Sequence, residues 1–502
     1  MTVHIKAKRA RILGHAVHSF LREATPLHRS AIPRKDRIVI ATSIATPSLP
    51  DQNYPISLCP PPLQHGLLYP QTRPLSIVIA GGSLASLITA TILLSLPQPS
   101  HSINITILER LPPSNLQDLG AGIAISPSIL AFMSRYCNHL PPPKYAAPLH
   151  AYRQINREGK VTTESEGKGQ FWATSWGQLY RVLRGRFDEL SDDGRRGRYL
   201  CEAVVESIVE DGDRVVVSYR EKGESKQLAA DLVVGADGAS STVRGLLLPE
   251  VKRYSVGYAC YRGIVAASQV SLDAQAIFQD MATFHWAPRS QMLSYMVPGN
   301  GGPADEIGRY INWVWYQIRD EKEMEELLTD KDGKKHKFSL PPGKMRLEEI
   351  EKIKMKAGEE LPEVHKEIIR QTDDVFLQVV TDSHAGGNSF CGGKVVLVGD
   401  AVAGQRPHVA SAVMQAVFDA EWLARLVQGL ASPEEFEEET QSFSKILVEK
   451  GKELGAVCMG DFDPTYKDKT YYPLFFGTQA LLKAKFDKLD ELNRSSASNG
   501  VL

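Results

Sequence analysis

The stretch LSIVIAGGSLAS, residues 75–86, decides the fold. An apolar strand over Leu75–Ala80 runs into the turn Gly81-Gly82-Ser83, and the apolar run that follows predicts a helix over Leu84–Leu96. A second apolar strand, Ile103–Leu108, ends directly before Glu109. Strands that are apolar throughout are typical of parallel sheets covered on both faces, so this stretch predicts a βαβ unit.

The turn in this unit has the chemistry of a phosphate site. Glycine lets the backbone approach a pyrophosphate, whose charge is met by free N–H groups and the positive end of the helix dipole. The second and third glycines of the G-x-G-x-x-G pattern are Ser83 and Ser86 here. Glu109 stands where a carboxylate could accept a hydrogen bond from a ribose hydroxyl. On the residues alone, an ordinary strand-to-helix connection and a solvated strand end remain the alternatives.

The chain then alternates between two kinds of sheet. The pattern predicts an antiparallel meander of three strands, Val204–Val209, Arg214–Tyr219 and Gln227–Val234. The meander leads to the turn Gly235-Ala236-Asp237-Gly238. Residues 256–390 predict a second domain with an antiparallel sheet; its strands lie near Thr283–Trp286, Met292–Val297 and Ile311–Gln317, before a charged helical insert over Asp320–Glu363. The chain then returns to the first domain with a mainly apolar strand over Lys394–Val398, the turn Gly399-Asp400 and a helix over Ser411–Leu430.

We therefore predict an α/β fold with a discontinuous Rossmann-like domain, an inserted α+β domain with an antiparallel sheet, and a helical C-terminus. The predicted boundaries are a disordered basic tail and proline-rich linker over 1–72, the two parts of the first domain at 73–255 and 391–430, the inserted domain at 256–390 and C-terminal helices over 431–502. Residues 1–37 carry nine Lys/Arg and two acids, whereas residues 41–74 contain eight prolines. The basic segment is either a solvated tail, the product of a wrong start codon, or a mitochondrial targeting segment of an otherwise cytoplasmic protein.

Composition excludes several classes of function. The 502 residues have a net charge of -1, so no strong field attracts nucleic acid. The six cysteines form no CxxC pair, and neither a metal site nor a disulfide framework is predicted. The aliphatic run Leu87–Leu96 is about half the length of a membrane-spanning helix, so no transmembrane segment is expected.

Several motifs together resemble those of one enzyme family, the class A FAD-dependent aromatic hydroxylases, which share the para-hydroxybenzoate hydroxylase fold. The resemblance spans roughly residues 75–430 and is closest to the 2,6-dihydroxypyridine 3-monooxygenase-like branch. Besides the first turn, the motifs are GAGI (120–123), TSWGQLYRVLR (174–184), VVGADGASSTVR (233–244), YSVGYACYRG (254–263) and VGDAVAGQRPH (398–408).

The resemblance implies a set of FAD-binding residues. Gly81, Gly82 and Ser83 would hold the pyrophosphate and Glu109 the adenosine ribose, whereas Asp400 would meet the ribityl chain. The loop Pro407–Ala412, including Ala410 and Ser411, would present backbone N–H groups to the flavin ring. The remaining implied cofactor residues are Leu84, Arg110, Gly122, Ile123, Tyr180, Arg181, Asp237 and Gly238. The chain departs from the family at Ala410-Ser411-Ala412, where many relatives have a glycine pair, and at Trp176, where an arginine is common.

The resemblance also implies an NAD(P)H-dependent monooxygenase that uses O2 and a flavin hydroperoxide to hydroxylate a small aromatic or heteroaromatic substrate. Whether NADH or NADPH serves is left open, and a homodimer is suggested by the resemblance alone. Candidate catalytic residues are Tyr261, Arg262, His285 and His408. Strand alternation puts Trp313, Trp315 and Gln317 on one face and Asn312, Val314 and Tyr316 on the other, and either set could line the pocket. The alternatives are a related flavin epoxidase or oxidative tailoring enzyme, and a degenerate FAD-binding protein without turnover.

Overall fold

The computed structural model describes residue 69 and residues 73–97, 102–116, 121–299 and 308–498, without the side chains of residues 166–170. The predicted tail and linker over 1–72 lie outside these residues except for Tyr69. Tyr69 is buried, and its hydroxyl donates to the carbonyl of Gly393. No helix within the described ranges combines the length and the apolar character that crossing a bilayer requires.

The described chain alternates strands and helices until residue 404 and is helical afterwards. The strands are β1 (Leu75–Ala80), β2 (Ile103–Leu108), β3 (Gly122–Ile125), β4 (Ala147–Ile155), β5 (Val161–Ser175), β6 (Gly197–Leu200), β7 (Ala203–Asp211), β8 (Arg214–Glu221), β9 (Glu224–Ala230), β10 (Leu232–Gly235), β11 (Tyr254–Ala266), β12 (Met281–Ala287), β13 (Ser290–Pro298), β14 (Arg309–Ile318), β15 (Ser339–Leu340), β16 (Phe376–His384), β17 (Ser389–Phe390), β18 (Val395–Leu397) and β19 (Ala403–Gly404). The helices are α1 (Leu84–Ser95), α2 (Pro127–Tyr136), α3 (Trp176–Leu190), α4 (Thr242–Leu247), α5 (Leu272–Phe278), α6 (Glu321–Leu327), α7 (Leu347–Glu360), α8 (Glu363–Arg370), α9 (Ala412–Val427), α10 (Pro433–Met459) and α11 (Pro464–Ser498).

A six-stranded sheet, in the order β17-β18-β10-β1-β2-β6, organises the first domain. All its neighbouring strands run parallel except the β17-β18 pair. In the register, Ala80 lies opposite both Gly235 and Leu108, and Gly235 lies opposite Leu397. The carboxyl ends of β2, β1, β10 and β18 are therefore level, and the motifs that follow them share one edge of the sheet.

Helix α1 covers this sheet because it has no polar face. Ten of its twelve residues are buried, as expected for a helix that is apolar all round. Thr89 and Thr91 are buried with the apolar residues, and the Thr89 hydroxyl donates to the Ala85 carbonyl one turn earlier. The start of α1, which carries the glycine turn, is thereby fixed at the carboxyl edge.

A ten-stranded, mainly antiparallel sheet separates two cores. One face contributes Tyr258, Cys260, Val314 and Tyr316 to the main core. The opposite face packs under the inserted helices; its buried residues include Ala259, Tyr261, Trp313 and Trp315. The structure thus decides the question that alternation leaves open, because the Asn312, Val314 and Tyr316 set faces the first domain. Strands β3, β4 and β5 also join this sheet, although they precede the predicted inserted domain.

Two details of the predicted elements were wrong. The single strand expected over Gln227–Val234 is two strands in different sheets, β9 and β10, which part at Asp231. The Asp231 carboxylate forms a bidentate pair with Arg73 (2.5 and 2.6 Å) and accepts the N–H of Ser76 (2.8 Å). The helical insert over Asp320–Glu363 is interrupted: it contains α6, strand β15 and α7, and α8 begins at its last residue.

We expect His365→Leu to stabilise the protein most strongly in mild acid. His365 is fully buried between Phe278 and His285, and neither ring nitrogen has a partner among the described residues. Burial, with a smaller contribution from His285, holds the pKa of His365 well below its ordinary value of 6.5. Below that value the unfolded chain takes up a proton that the folded chain does not, so the wild-type protein loses stability as pH falls.

Denaturant unfolding measures the free energy of unfolding of both proteins at about pH 7 and about pH 5. The excess of His365→Leu over the wild type should grow by about 2 kcal/mol from the higher pH to the lower. His150→Leu, at an exposed position, is the matched control and should show no such growth. An equal pH dependence in wild type and His365→Leu would contradict the assignment.

Candidate functional site

The glycine turns after β1, β10 and β18 pack against one another at the carboxyl edge. Gly81 has φ +99°, and a Cβ there would lie 2.6 Å from the carbonyl oxygen of Ala236 and 2.7 Å from the Cα of Asp237. Gly399 has φ +62°, and its Cβ would lie 3.0 Å from that of Ala85 in α1. Glycine is required where backbone approaches backbone this closely. The structure therefore brings the three motifs together.

Glu109 holds the first turn in place. Its two carboxylate oxygens accept the N–H groups of Gly82 and Leu111, each at 2.7 Å, and the side chain is buried. Tyr199 donates its hydroxyl to the Gly82 carbonyl (2.7 Å). Ser83 follows as the first residue before α1 and makes no side-chain cap, so the helix start stays open next to Leu84. Arg110 is exposed at the same strand end.

Helix α3 supports this turn through Tyr199, which the sequence does not single out. The hydroxyls of Tyr180 and Tyr199 share a hydrogen bond of 3.2 Å. Trp176 stacks on Tyr180 with 4.9 Å between ring centroids, and the Arg184 guanidinium lies 4.0 Å from the centroid of Tyr199. Arg181 donates to Gln178 (3.0 Å) on the same helix. Aromatic contacts thus take the place in which an arginine is common in the family.

Asp237 binds the first N–H groups of helix α4, next to its capping residue Ser241. Its carboxylate accepts the N–H groups of Thr242 (2.6 Å) and Val243 (3.1 Å) and the hydroxyl of Ser241 (2.5 Å). Burial raises the pKa of Asp237 above its ordinary value, and these hydrogen bonds oppose the rise. Gly238 then turns the chain with φ +78°. The motif therefore fixes the loop beside the first turn.

Asp400 differs from these two acids, because its carboxylate accepts no hydrogen bond from the described residues. Burial raises its pKa, while the charges of Arg253 and Arg244 act in the opposite direction. It lines a cavity of about 50 Å³ together with Arg253, Gln405 and Pro407. Arg244 is buried and donates to the carbonyl of Ala401 (2.8 Å). A ligand in this cavity would find Asp400 as a free acceptor.

Two buried polar residues on α9 fix the turn before Asp400. Asp419 accepts the N–H of Gly399 (2.8 Å), and Gln415 donates to the Gly399 carbonyl (2.9 Å). Burial raises the pKa of Asp419 well above its ordinary value. Neither residue was predicted from the sequence, although a polar pair four positions apart in an otherwise apolar helix is a signal that points to both.

The loop from Pro407 to Ala412 continues from this cavity. His408 is buried between Tyr258 and Tyr316, and its Nε2 shares a hydrogen bond of 3.0 Å with the Tyr258 hydroxyl. Burial, with a smaller contribution from Arg406, lowers the pKa of His408 to about 3, so the ring is neutral near pH 7. Ala410 has the left-handed backbone φ 55°, ψ 34°, and Ser411 precedes α9 without capping it.

The sheet face beside this loop gathers Arg262, Gly122 and Asn312. Arg262 donates to the side chain of Gln378 (3.2 Å) and to the Gly122 carbonyl (3.4 Å). Asn312 accepts the Gly122 N–H (2.9 Å), and a Cβ at Gly122 would overlap the Tyr295 hydroxyl. The strand containing Gly122 and Ile123 is thus held against the face that turns toward the first domain.

Two proposed catalytic residues lie elsewhere, and we correct their assignment. Tyr261 belongs to the opposite face of β11, where its hydroxyl accepts from Arg319 (3.1 and 3.2 Å). His285 donates its Nδ1 proton to the Ile155 carbonyl (3.0 Å) and lies beside His365, under the inserted helices. Tyr261 and Arg262 are neighbours on one strand, so their side chains point to opposite faces of the sheet. Only Arg262 faces the site.

The described residues around the cavity fit an absent ligand. Buried atoms without a partner include Nε of Arg262, Oε1 of Gln405 and Nδ1 of His408, whereas buried polar atoms are normally bonded. Ser83 and Ser411 leave the starts of α1 and α9 uncapped, as Ser126 does at α2, whereas serines cap α3, α4, α5 and α10. Open N–H groups at two helix starts are suited to the anionic groups of FAD.

Comparison with known proteins gives a consistent result. A family model described as FAD binding domain-like matches residues 254–382. The chain is 24% identical over 352 residues to 2,6-dihydroxypyridine 3-monooxygenase of Paenarthrobacter nicotinovorans, an alignment that covers 70% of this chain and 82% of the relative. It is 25% identical over 356 residues to 6-hydroxynicotinate 3-monooxygenase of Pseudomonas fluorescens, with the same coverage of both chains.

The fold matches a solved structure of the same group. The structure of 2,6-dihydroxypyridine-3-hydroxylase from Arthrobacter nicotinovorans superposes with a TM-score of 0.67 and 22% identity, over 80% of this chain and 95% of that one. The predicted fold class and FAD as the cofactor are confirmed. The chain is therefore a relative of the class A FAD-dependent aromatic hydroxylases, an FAD-dependent oxidoreductase with their para-hydroxybenzoate hydroxylase fold.

Proposed function

We propose that this protein uses NADH or NADPH and O2 to hydroxylate a small aromatic or heteroaromatic compound of the phenol or hydroxypyridine type. One observation carries the proposal: three glycine turns lie together at the carboxyl edge of the sheet, and the third leads into Asp400, an acid without a hydrogen-bond donor among the described residues that lines a cavity. The relatives named above act on hydroxylated pyridines, which supports this substrate class.

FAD would be held by the residues that meet at the carboxyl edge. The turn Gly81-Gly82-Ser83 and the start of α1 suit the pyrophosphate, since both supply backbone N–H groups. Glu109 and Tyr199 keep that turn in shape. Asp400 offers an acceptor to a hydroxyl-bearing chain, and the start of α9 offers N–H groups to an electron-rich edge of the ring.

When bound, FAD would supply the redox chemistry, which is hydride acceptance from the nicotinamide and insertion of oxygen from O2. The protein orients the substrate and excludes water. Arg262 faces the site with Nε unpartnered, which suits a carboxylate or an ionised hydroxyl. Val314 and Tyr316 give the same face an apolar surface. His408 is neutral, so we assign it a packing role beside the loop and not that of a general acid.

The absorption spectrum of the purified protein tests the proposal first. The protein, or the protein reconstituted with FAD, should show bound oxidised flavin, and NADH or NADPH should bleach it faster when a hydroxypyridine or phenol is present. A protein that binds no FAD would exclude both the hydroxylase and a related flavin epoxidase. Flavin that binds but is never reduced by either nicotinamide would identify a degenerate FAD-binding protein.

Asp400→Ala should weaken FAD binding about tenfold or more, because a hydrogen bond to a charged group contributes about 1.5–3 kcal/mol. Asp400→Asn, which keeps the shape and one acceptor, should have an intermediate effect. The thermal midpoint of the apoprotein should not fall, since the lost carboxylate is buried with a raised pKa. Fluorescence titration of the apoproteins with FAD gives the dissociation constants.

The matched control for this position is Asp373→Ala, at an exposed site of the inserted domain. It should bind FAD as the wild type does. Equal FAD affinity in Asp400→Ala and Asp373→Ala would remove Asp400 from the site.

Arg262→Met should raise KM for acidic ring substrates by about tenfold, since a charge-assisted hydrogen bond of about 1.5–3 kcal/mol is lost. FAD occupancy should remain near that of the wild type, and Arg262→Lys should recover part of the affinity. Steady-state kinetics on paired substrates with and without a carboxylate separates KM from kcat. Arg195→Met, at a highly exposed site, is the control, and a similar KM in both methionine variants would contradict the role of Arg262.

A further inference from the structure

The C-terminal helix α11 contacts the loop that precedes α9. Gln479 donates through Nε2 to the Val409 carbonyl (2.9 Å) and to the Ser411 hydroxyl oxygen (3.1 Å). Tyr471, two turns earlier, donates its hydroxyl to the His408 carbonyl (3.2 Å). Two consecutive carbonyls of the loop are therefore bonded by one helix from the end of the chain.

These hydrogen bonds surround a residue in an unfavourable conformation. Ala410 lies between the two atoms that Gln479 contacts and has φ 55° and ψ 34°. The left-handed region costs a non-glycine residue about 1–2 kcal/mol. Such a conformation persists where its surroundings hold it, and the three atoms bonded by Tyr471 and Gln479 belong to residues on both sides of Ala410.

Ser411 shows what the contact with Gln479 changes. Serine is a preferred residue before a helix because its oxygen accepts an N–H of the first turn. Here its hydroxyl donates backward to the Val409 carbonyl (2.9 Å) and accepts from Gln479, and it makes no cap. At the start of α10, Ser432 accepts the N–H of Glu435 (3.2 Å) in the ordinary way. Gln479 thus keeps the Ser411 oxygen away from the N–H groups of α9.

We propose that Gln479 is a positioning residue for FAD, acting by holding Ser411 turned away so that the start of α9 stays open to the flavin ring. The proposal rests on the proposed function, because FAD is the ligand assigned to this helix start. The loop adjoins the cavity through Pro407, which lines it with Asp400. Without Gln479, only its own bond to the Val409 carbonyl would hold the Ser411 hydroxyl, which could then turn to accept from the helix in competition with the flavin.

The test uses the full chain with Gln479→Leu, which removes the donor and keeps most of the volume. We expect FAD to bind about three- to tenfold more weakly, from the loss of about one hydrogen bond's contribution. The midpoint potential of the bound flavin should become more negative, since fewer N–H groups stabilise the charge of the reduced ring. In the apoprotein, hydrogen exchange at residues 409–412 should accelerate.

A double-mutant cycle with Ser411→Ala separates positioning from a purely structural role. Ser411→Ala removes the hydroxyl that Gln479 holds, so it provides the background in which this contact is already lost. In the Ser411→Ala background, Gln479→Leu should shift the potential much less than it does beside Ser411. Gln371→Leu, at an exposed site on the inserted domain, is the matched control and should leave FAD affinity and potential unchanged.

The outcomes distinguish this proposal from the proposed function. A wild-type protein that binds no FAD overturns both. A wild-type protein that binds FAD, together with a Gln479→Leu variant of equal affinity and potential, overturns the role of Gln479 alone. An equal shift of potential in both Ser411 backgrounds also overturns it, because the effect would not pass through the Ser411 hydroxyl.

Discussion

The contact between the Gly81 backbone and the Ala236-Asp237 peptide is the constraint on which the candidate site depends. Only a residue without Cβ allows β1 and β10 to end level and their turns to touch. With that edge fixed, Glu109 reaches the turn from β2 and the Gly399 turn meets α1 from β18. Every motif of the site takes its position from this one approach of two main chains.

The parts of the fold that local chemistry determines could be predicted from the sequence. Strands β1 and β2 have the expected limits because their apolar runs stop at Gly81 and Glu109. The division at Asp231 could not be seen, since it depends on Arg73, a residue far away in the chain. The face of β14 that meets the first domain was undecided for the same reason: alternation assigns two faces, and only packing tells them apart.

Residues that act on the backbone of another segment were harder to find than residues of a motif. Tyr199, Gln415, Asp419 and Gln479 each bond a main-chain group of a loop, and none belongs to a recognisable pattern with that loop. The sequence assigns all three motif acids to the cofactor, with different parts of FAD as their ligands. The structure separates them, because Glu109 and Asp237 bond backbone N–H groups and Asp400 remains available.

The order of synthesis determines when this site can form. The first glycine turn leaves the ribosome early, the second follows after β10, and the third comes with β18, but Tyr471 and Gln479 lie in the last described helix. Pairing between segments so distant in sequence is slow compared with local folding. A premature stop codon before α11 would therefore leave a protein that carries every flavin-binding motif in its sequence and lacks the donors that shape the loop. Motif content alone would misidentify such a gene product as an intact flavoenzyme.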